Sequence, residues 1–451
     1  MATSSNVPLL NNPQTIRAWY MYDWANSVYS LVIISAIFPV YFKATAKTGE
    51  SDMVVFLGIS LKNSNLYTYA LSFSFLLVAA ILPLLSGMAD YSGNKKTFMK
   101  IFVWIGALSC MGLFFFTGIS TLWVAILFSI TASIGYSGSL VFYDAFLPEL
   151  VSEDRYDATS AQGYSMGYYG SVLMMLLCLV LIMNYSAFGF ADEGQATRVS
   201  FLLVGVWWIG FSLIPFKYLQ ENPFGRKPSG NIWTKGYEEI RKVWKSLATQ
   251  PDLKRFLTAY FFYNMGVQTV MYLSALFGTD VLNLEDTSLI ATILIIQLVG
   301  SVGAFLFAKL SAMKGNKMAL LTMITVWIGV CIAAYFIQTE FHFYALAVIV
   351  GLIMGGIQSL SRATYSKLIP RNTIAHASYF SFYDVTYNLS IVFGTFSYAL
   401  INQITGSMRY SALGLAVFFI IGMGFLISIR SRNIVYSQKA AQGVNTGDVS
   451  P

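Results

Sequence analysis

The chain has 451 residues, of which 56% are hydrophobic and 11% charged, whereas a soluble domain carries about 25% charged residues. No soluble core hides that much apolar surface, so the composition excludes a soluble enzyme and points to a polytopic membrane protein. A net charge of +7 invites a nucleic-acid partner, but the basic residues are distributed by membrane topology, so no such partner is expected.

The first residues, "MATSSNVPLLNNPQTIR", are polar and lack the apolar centre of a signal peptide, so the first apolar run is expected to be retained. Apolar runs of roughly 20 residues then predict twelve spans, at 18–42, 65–89, 98–117, 120–146, 160–185, 199–219, 255–279, 286–311, 318–338, 342–368, 378–402 and 409–430. Cys110, Cys178 and Cys331 lie inside these runs and read as packing residues, with no disulfide or metal site. An even number of spans puts both termini on one side. With the N-terminus inside, the inner loops hold Lys95, Lys96, Lys100, the basic residues from Lys217 to Arg255, Lys309, Lys314, Lys317, Arg362, Lys367, Arg371, Arg430 and Arg432. The outer side keeps only Lys43, Lys47, Lys62, Arg198 and Arg409. This bias predicts cytoplasmic termini.

The domain reading is a six-helix half at 1–219, a linker at 220–254, a second six-helix half at 255–430 and a tail at 431–451. In the linker, Trp233, Tyr237, Ile240, Val243, Trp244 and Leu247 recur at steps of three and four, opposite Lys235, Glu238, Glu239, Arg241, Lys242 and Lys245. That pattern predicts an amphipathic helix, lying on the inner leaflet or packed as a connector on the span ends. The halves repeat: Gly93–Lys95 and Gly315–Lys317 both read Gly-Asn-Lys, 222 residues apart, and Tyr143/Tyr365 and Pro148/Pro370 share that spacing. Parallel repeats of this kind mark transporters built about an axis along the membrane normal.

Between the second and third runs the chain reads "SGMADYSGNKK". Gly87, Asp90, Gly93, Lys95 and Lys96 match the G-x-x-x-D-x-x-G-x-[RK]-[RK] loop of the major facilitator superfamily, with Tyr91 where a basic residue is usual. The glycines permit a tight turn, Asp90 suits a helix N-terminus or a basic partner, and the lysines hold the loop inside. "YDWANSVYS", "YDAFLPELVSEDRYDATSAQGYSMGYYGS" and "GGIQSLSRATYSKLIPRN" resemble the vacuole-effluxer-like branch of that superfamily, which includes autophagy-related vacuolar amino-acid effluxers and bacterial relatives. The resemblance runs from about Arg17 to Arg430. It implies an all-α membrane protein of the major facilitator fold, with twelve transmembrane helices in two pseudo-symmetric six-helix halves. It also implies outward transport of amino acids or similar small polar metabolites. No phosphate-binding G-x-x-x-x-G-K-[ST] loop, H-E-x-x-H motif or Cys/His cluster occurs, so neither enzyme chemistry, a cofactor nor a metal is expected.

Charges inside the runs are the candidate machinery. Asp23 is about five residues into the first run, roughly 7–9 Å deep. Arg362, Asp384 and Asp144 fall at similar depth from the same face, with Glu149 beside Asp144. Unpaired, each would cost a few kcal/mol in lipid, so they are expected to pair or face water. Arg362 is expected to bridge Asp384 or Asp23 in a gate, while Asp144 reads first as an interfacial cap. Deeper, Asn26, Tyr29, Asn264, Gln268, Tyr272, Gln297, Gln358 and Asn388 are candidate substrate contacts, since amides and phenols bind polar solutes without fixing net charge. With no histidine inside a run, a coupling proton would ride on Asp23 or Asp384. The expectation is a monomeric secondary transporter of a bacterial inner membrane that works by alternating access on a small-molecule substrate, surrounded by membrane lipid. A non-transporting receptor or scaffold on the same fold, and a drug- or lipid-moving facilitator, stay open as alternatives.

Overall fold

The structure is a computed structural model that describes residues 10–49 and 51–430; the tail expected at 431–451 lies outside the described residues. The helices in chain order are α1 (Pro13–Val28), α2 (Ile37–Thr45), α3 (Asn63–Ser92), α4 (Lys95–Gly112), α5 (Leu122–Asp144), α6 (Leu147–Leu150), α7 (Tyr156–Met183) and α8 (Glu193–Tyr218). Then follow α9 (Ile232–Thr249), α10 (Pro251–Leu282), α11 (Asp286–Lys314), α12 (Asn316–Phe336), α13 (Glu340–Leu368), α14 (His376–Thr405) and α15 (Met408–Ile427). A π-helical stretch, Tyr29–Ala36, joins α1 to α2 into one long rod.

Local chemistry sets the helix ends. Asn12 caps α1, its side chain accepting from the Gln14 N–H, with Pro13 at the first helical position; Asp192, Asn231 and Thr339 cap α8, α9 and α13 in the same way. Gly93 ends α3 in the left-handed region at φ 74°, the conformation that favours glycine after a helix.

Among the described residues, ten helical segments are long and apolar enough to cross a membrane. The long helices α10 and α14 fall outside that set because amides, carboxylates and hydroxyls interrupt them, from Asn264 and Gln268 to Asp384 and Asn388. The chain is a multi-pass integral membrane protein. It is an all-α protein, as the sequence reading had it, with one short hairpin among the described residues. β1 (Met53–Phe56) and β2 (Ile59–Lys62) pair antiparallel across a two-residue turn, Leu57-Gly58. Both turn residues have positive φ, 51° and 80°, which suits the twist of a short hairpin. The segment lies between the expected spans 18–42 and 65–89, for which no secondary structure was expected.

Helices of residues 10–219 meet those of 251–430 along α3 with α14, α7 with α11 and α13, and α5 with α14. Helix α9 packs chiefly against α3, where Gly87 and Gly236 are so close that a Cβ on either would strike the other helix's backbone. Val243 and Leu247 are buried, while Trp233, Tyr237 and Trp244 stay exposed.

Candidate functional site: a central cavity closed by an arginine cage

Both Gly-Asn-Lys turns sit at helix junctions, α3–α4 and α11–α12, and the residues around them cross-link the two helix sets. Asp90, buried, accepts from the backbone N–H groups of Ala377 and Ser378 at 3.3 and 2.6 Å, at the start of α14. Helix N-termini favour such a negative charge. Lys95, also buried, pairs with Glu149 at 2.6 Å and donates to the Ala145 carbonyl at 3.1 Å. His376 Nδ1 lies 2.8 Å from Glu149 Oε1. Lys96 donates to the Leu219 carbonyl. At the second turn, Asp157 of α7 accepts from Ser311, Asn316 and Lys367 at 2.9, 2.7 and 2.8 Å.

One layer deeper lies Arg362 of α13, 1% exposed. Its Nη1 donates to Asp144 at 2.9 Å, its Nη2 faces Asp23 at 3.5 Å, and its Nε and Nη2 donate to the hydroxyl and carbonyl of Ser160 at 2.9 and 3.0 Å. The guanidinium also lies over the rings of Trp19, Tyr143 and Tyr164, at 4.8, 5.5 and 4.4 Å from their centroids. Planar guanidinium suits both bonds and stacking. Tyr143 donates to Asp23 at 2.6 Å, and its carbonyl accepts from the Trp19 indole at 3.0 Å. A buried guanidinium is tolerable only with this many partners. Space for the cage comes from α7: a Cβ at Gly163 would collide with the Asp23 carboxylate and the Arg362 guanidinium.

Above the cage is a cavity of about 160 Å³ lined by Asp23, Asn26, Asp144, Asn264, Gln268, Tyr272, Gln297, Gln358, Arg362 and Asp384, with further tyrosines. The four charged candidates and six of the eight polar ones thus come together. Tyr29 and Asn388, expected there as well, are outside the lining: Tyr29 packs on Tyr136 and Trp208, and Asn388 turns back one helical turn to donate to Asp384 at 2.7 Å. Arg362, expected to bridge Asp384 or Asp23, faces Asp23 at 3.5 Å and meets Asp144, which ends α5 opposite the guanidinium, at 2.9 Å; among the described residues it makes no ion pair with Asp384. Asp144, read from sequence as an interfacial cap, is therefore the shortest ionic partner of Arg362. Sequence reasoning missed Ser160 and Asp157, although both lie in the quoted "SEDRYDATSAQG" stretch, whose density of small and polar residues at a helix start was the available signal.

Among the described residues, side-chain hydrogen bonds between the two helix sets run from the Gly-Asn-Lys end up to Ser165–Ser301 and Tyr168–Gln358. A bundle of long apolar helices around a polar cavity, cross-linked at one end, defines a membrane transporter of the major facilitator type. Solved structures with this fold include the transporter FucP in its outward conformation (TM-score 0.70, 12% identity, covering 93% of this chain and 99% of that one). The human organic anion transporter MFSD10 is comparable (TM-score 0.71, 12% identity, 92% and 100% covered). The profile of the "Vacuole effluxer Atg22 like" family matches residues 11–435, and the chain belongs to that family. It is 33% identical over 414 residues to the uncharacterized MFS-type transporter YxiO of Bacillus subtilis, covering 91% of this chain and 93% of that protein. It is 24% identical over 479 residues to autophagy-related protein 22-2 of Aspergillus clavatus, covering 84% and 77%.

Proposed function

We propose that this protein is a secondary transporter that crosses the membrane twelve times in two six-helix halves and moves amino acids or similar small polar metabolites outward by alternating access. In this reading α10 and α14 cross the membrane with the ten more apolar segments, and their polar residues face the central path rather than lipid. The Gly-Asn-Lys end is the cytoplasmic one, as the lysine and arginine bias argues, and the membrane is a bacterial inner membrane. The Arg362 cage is the gate on that side. The observation that carries the reading is that Arg362 on α13 is held entirely by Asp144, Asp23 and Ser160 from the other helix set, so the halves cannot part at this end without breaking it.

Coupling in this scheme is to protons. Asp23 and Asp384 are the carriers, and parting the halves separates Arg362 from Asp23.

The gate is tested by a double-mutant cycle on transport in proteoliposomes. Arg362→Ala and Asp144→Ala should each cut the rate at least ten-fold, and the double change should cost little more than either; additive losses would argue against a shared gate. Proton coupling is tested in inverted vesicles, where uptake by the wild type that ignores both a pH gradient and an uncoupler would falsify it.

A further inference from the structure

Helix α9 uses two of its flanks and leaves a third over. On one flank Gly236 crosses Gly87 of α3 closely, and Val243 and Leu247 on the same side are buried. The far flank balances its own charge: Lys235 pairs with Glu238 at 2.9 Å and Lys242 with Glu239 at 2.8 Å. Between them Trp233, Tyr237 and Trp244 are 58%, 61% and 64% exposed. Arg241 and Lys245 continue the row that Trp233 and Tyr237 begin, since steps of four share one helix face. Both are exposed, and among the described residues neither makes an ion pair. The row thus carries two unpaired cations and no acid.

The contacts of α9 also fix its depth. Gly87 lies five residues before Ser92, the last of α3, roughly 7–8 Å from that end. Further along, the Trp244 ring lies 5.6 Å from that of Phe382, six residues into α14, roughly 9 Å from its start. Ser246 beside it accepts from the Tyr379 hydroxyl at 2.8 Å. Helix α9 therefore meets α3 and α14 at one level. With 30 residues, α3 is about 45 Å long against a hydrocarbon layer of about 30 Å, so about 7 Å at each end stands among headgroups when the excess is shared. Tryptophan and tyrosine belong at that level, and arginine and lysine beside them meet phosphate. An anionic headgroup answers the two cations fully; a zwitterionic one offsets its phosphate with its own ammonium.

We propose that α9 is a docking site for anionic phospholipid: Trp233, Tyr237 and Trp244 lie in the headgroup layer of one leaflet, and Arg241 and Lys245 bind lipid phosphate. The inference needs only a bilayer around the bundle and is independent of what the central cavity moves.

The test uses the full chain in nanodiscs. A maleimide fluorophore is placed on Tyr237→Cys or on Glu238→Cys, the three native cysteines being buried. It is quenched by spin-labelled phosphatidylglycerol or by phosphatidylcholine labelled at the same chain position. At 237 the phosphatidylglycerol probe should quench about two-fold more strongly or better, and at 238 both should quench weakly. Arg241→Gln with Lys245→Gln should bring the two probes level at 237 without changing the melting temperature in detergent, while Arg241→Lys should keep the preference. Equal quenching by the two probes before the double change, a preference that survives it, no quenching at 237, or quenching as strong at 238 as at 237 would overturn the proposal.

Discussion

The two Gly-Asn-Lys turns are the same three residues 222 positions apart, yet they tie the helix sets together with opposite polarity. At the first, the turn supplies the acid: Asp90 reaches across to the bare N–H groups at the start of α14. At the second, the position equivalent to Asp90 is Ala312, and the acid is Asp157 on the receiving helix, α7, met by Ser311, Asn316 and Lys367. The lysines diverge too. Lys95 pairs with Glu149, while Lys317 donates to the carbonyls of Ile427 and Ile429 at 2.7 Å each. The repeated tyrosines follow suit: Tyr143 bonds a carboxylate in the arginine cage, whereas Tyr365 bonds the Tyr379 carbonyl within an aromatic stack. The repeat keeps a backbone geometry and lets each copy choose which partner carries the charge.

The contrast is broken most strongly at the second turn. Asp157→Ala leaves the Lys367 ammonium, 6% exposed, without its carboxylate, and should cost about 3–5 kcal/mol of the closed arrangement. The rate at which a maleimide labels Ser366→Cys from the Gly-Asn-Lys end should rise accordingly. Replacing both partners, Asp157→Leu with Lys367→Met, should recover most of that loss, as apolar substitutes often do for a buried pair.

The tyrosines come next. Tyr143→Phe deletes a hydrogen bond to a charged acceptor, about 1.5–3 kcal/mol, and Tyr365→Phe one to a neutral carbonyl, about 0.5–1.5 kcal/mol. Thermal melts of the two single variants should rank in that order, and equal shifts would argue that the repeated positions do the same work. Asp90→Asn keeps the shape at the first turn and removes the charge facing α14. It should cost about 1 kcal/mol through the helix terminus, seen as a modest rise in labelling of Ser378→Cys. The smallest effect is expected at Tyr91, whose hydroxyl donates to the Ser229 carbonyl at the surface. Tyr91→Phe should shift the melt by no more than about 0.5 kcal/mol equivalent, and a larger shift would mean that this contact anchors the linker.

How much of this was readable in advance follows the range of each interaction. Signals carried by neighbours in sequence came through. Each expected apolar run overlaps a long helix, with overhangs of a few residues at several ends, as at 98–117 against α4 and 409–430 against α15. The steps of Trp233 through Leu247 correspond to α9. What failed depends on how helices are rotated about their own axes. By depth alone Arg362 could have met Asp384, Asp23 or Asp144 equally well. Only the rotation of α13 against α5 and α7 turns the guanidinium toward Asp144 and Ser160, and no periodicity within α13 encodes it. The residues Ser160, Asp157 and Lys367 were invisible for the same reason: their partners are 154 to 210 positions away. Tyr29 packs on Tyr136 and Trp208 in the bundle interior, a choice of face that no pattern within α1 encodes.

Gly163 has a consequence in the terms of descent. A methyl group there would meet the Asp23 carboxylate and the Arg362 guanidinium, so the position is governed by two residues far from it in sequence. A lineage that retains both charges keeps them in their present positions only with glycine at 163. A larger residue becomes admissible only after position 23 or 362 has shortened, and reverting that shortening is then blocked until glycine returns. The order in which these three sites change is thereby constrained, and across relatives they should vary together rather than one at a time.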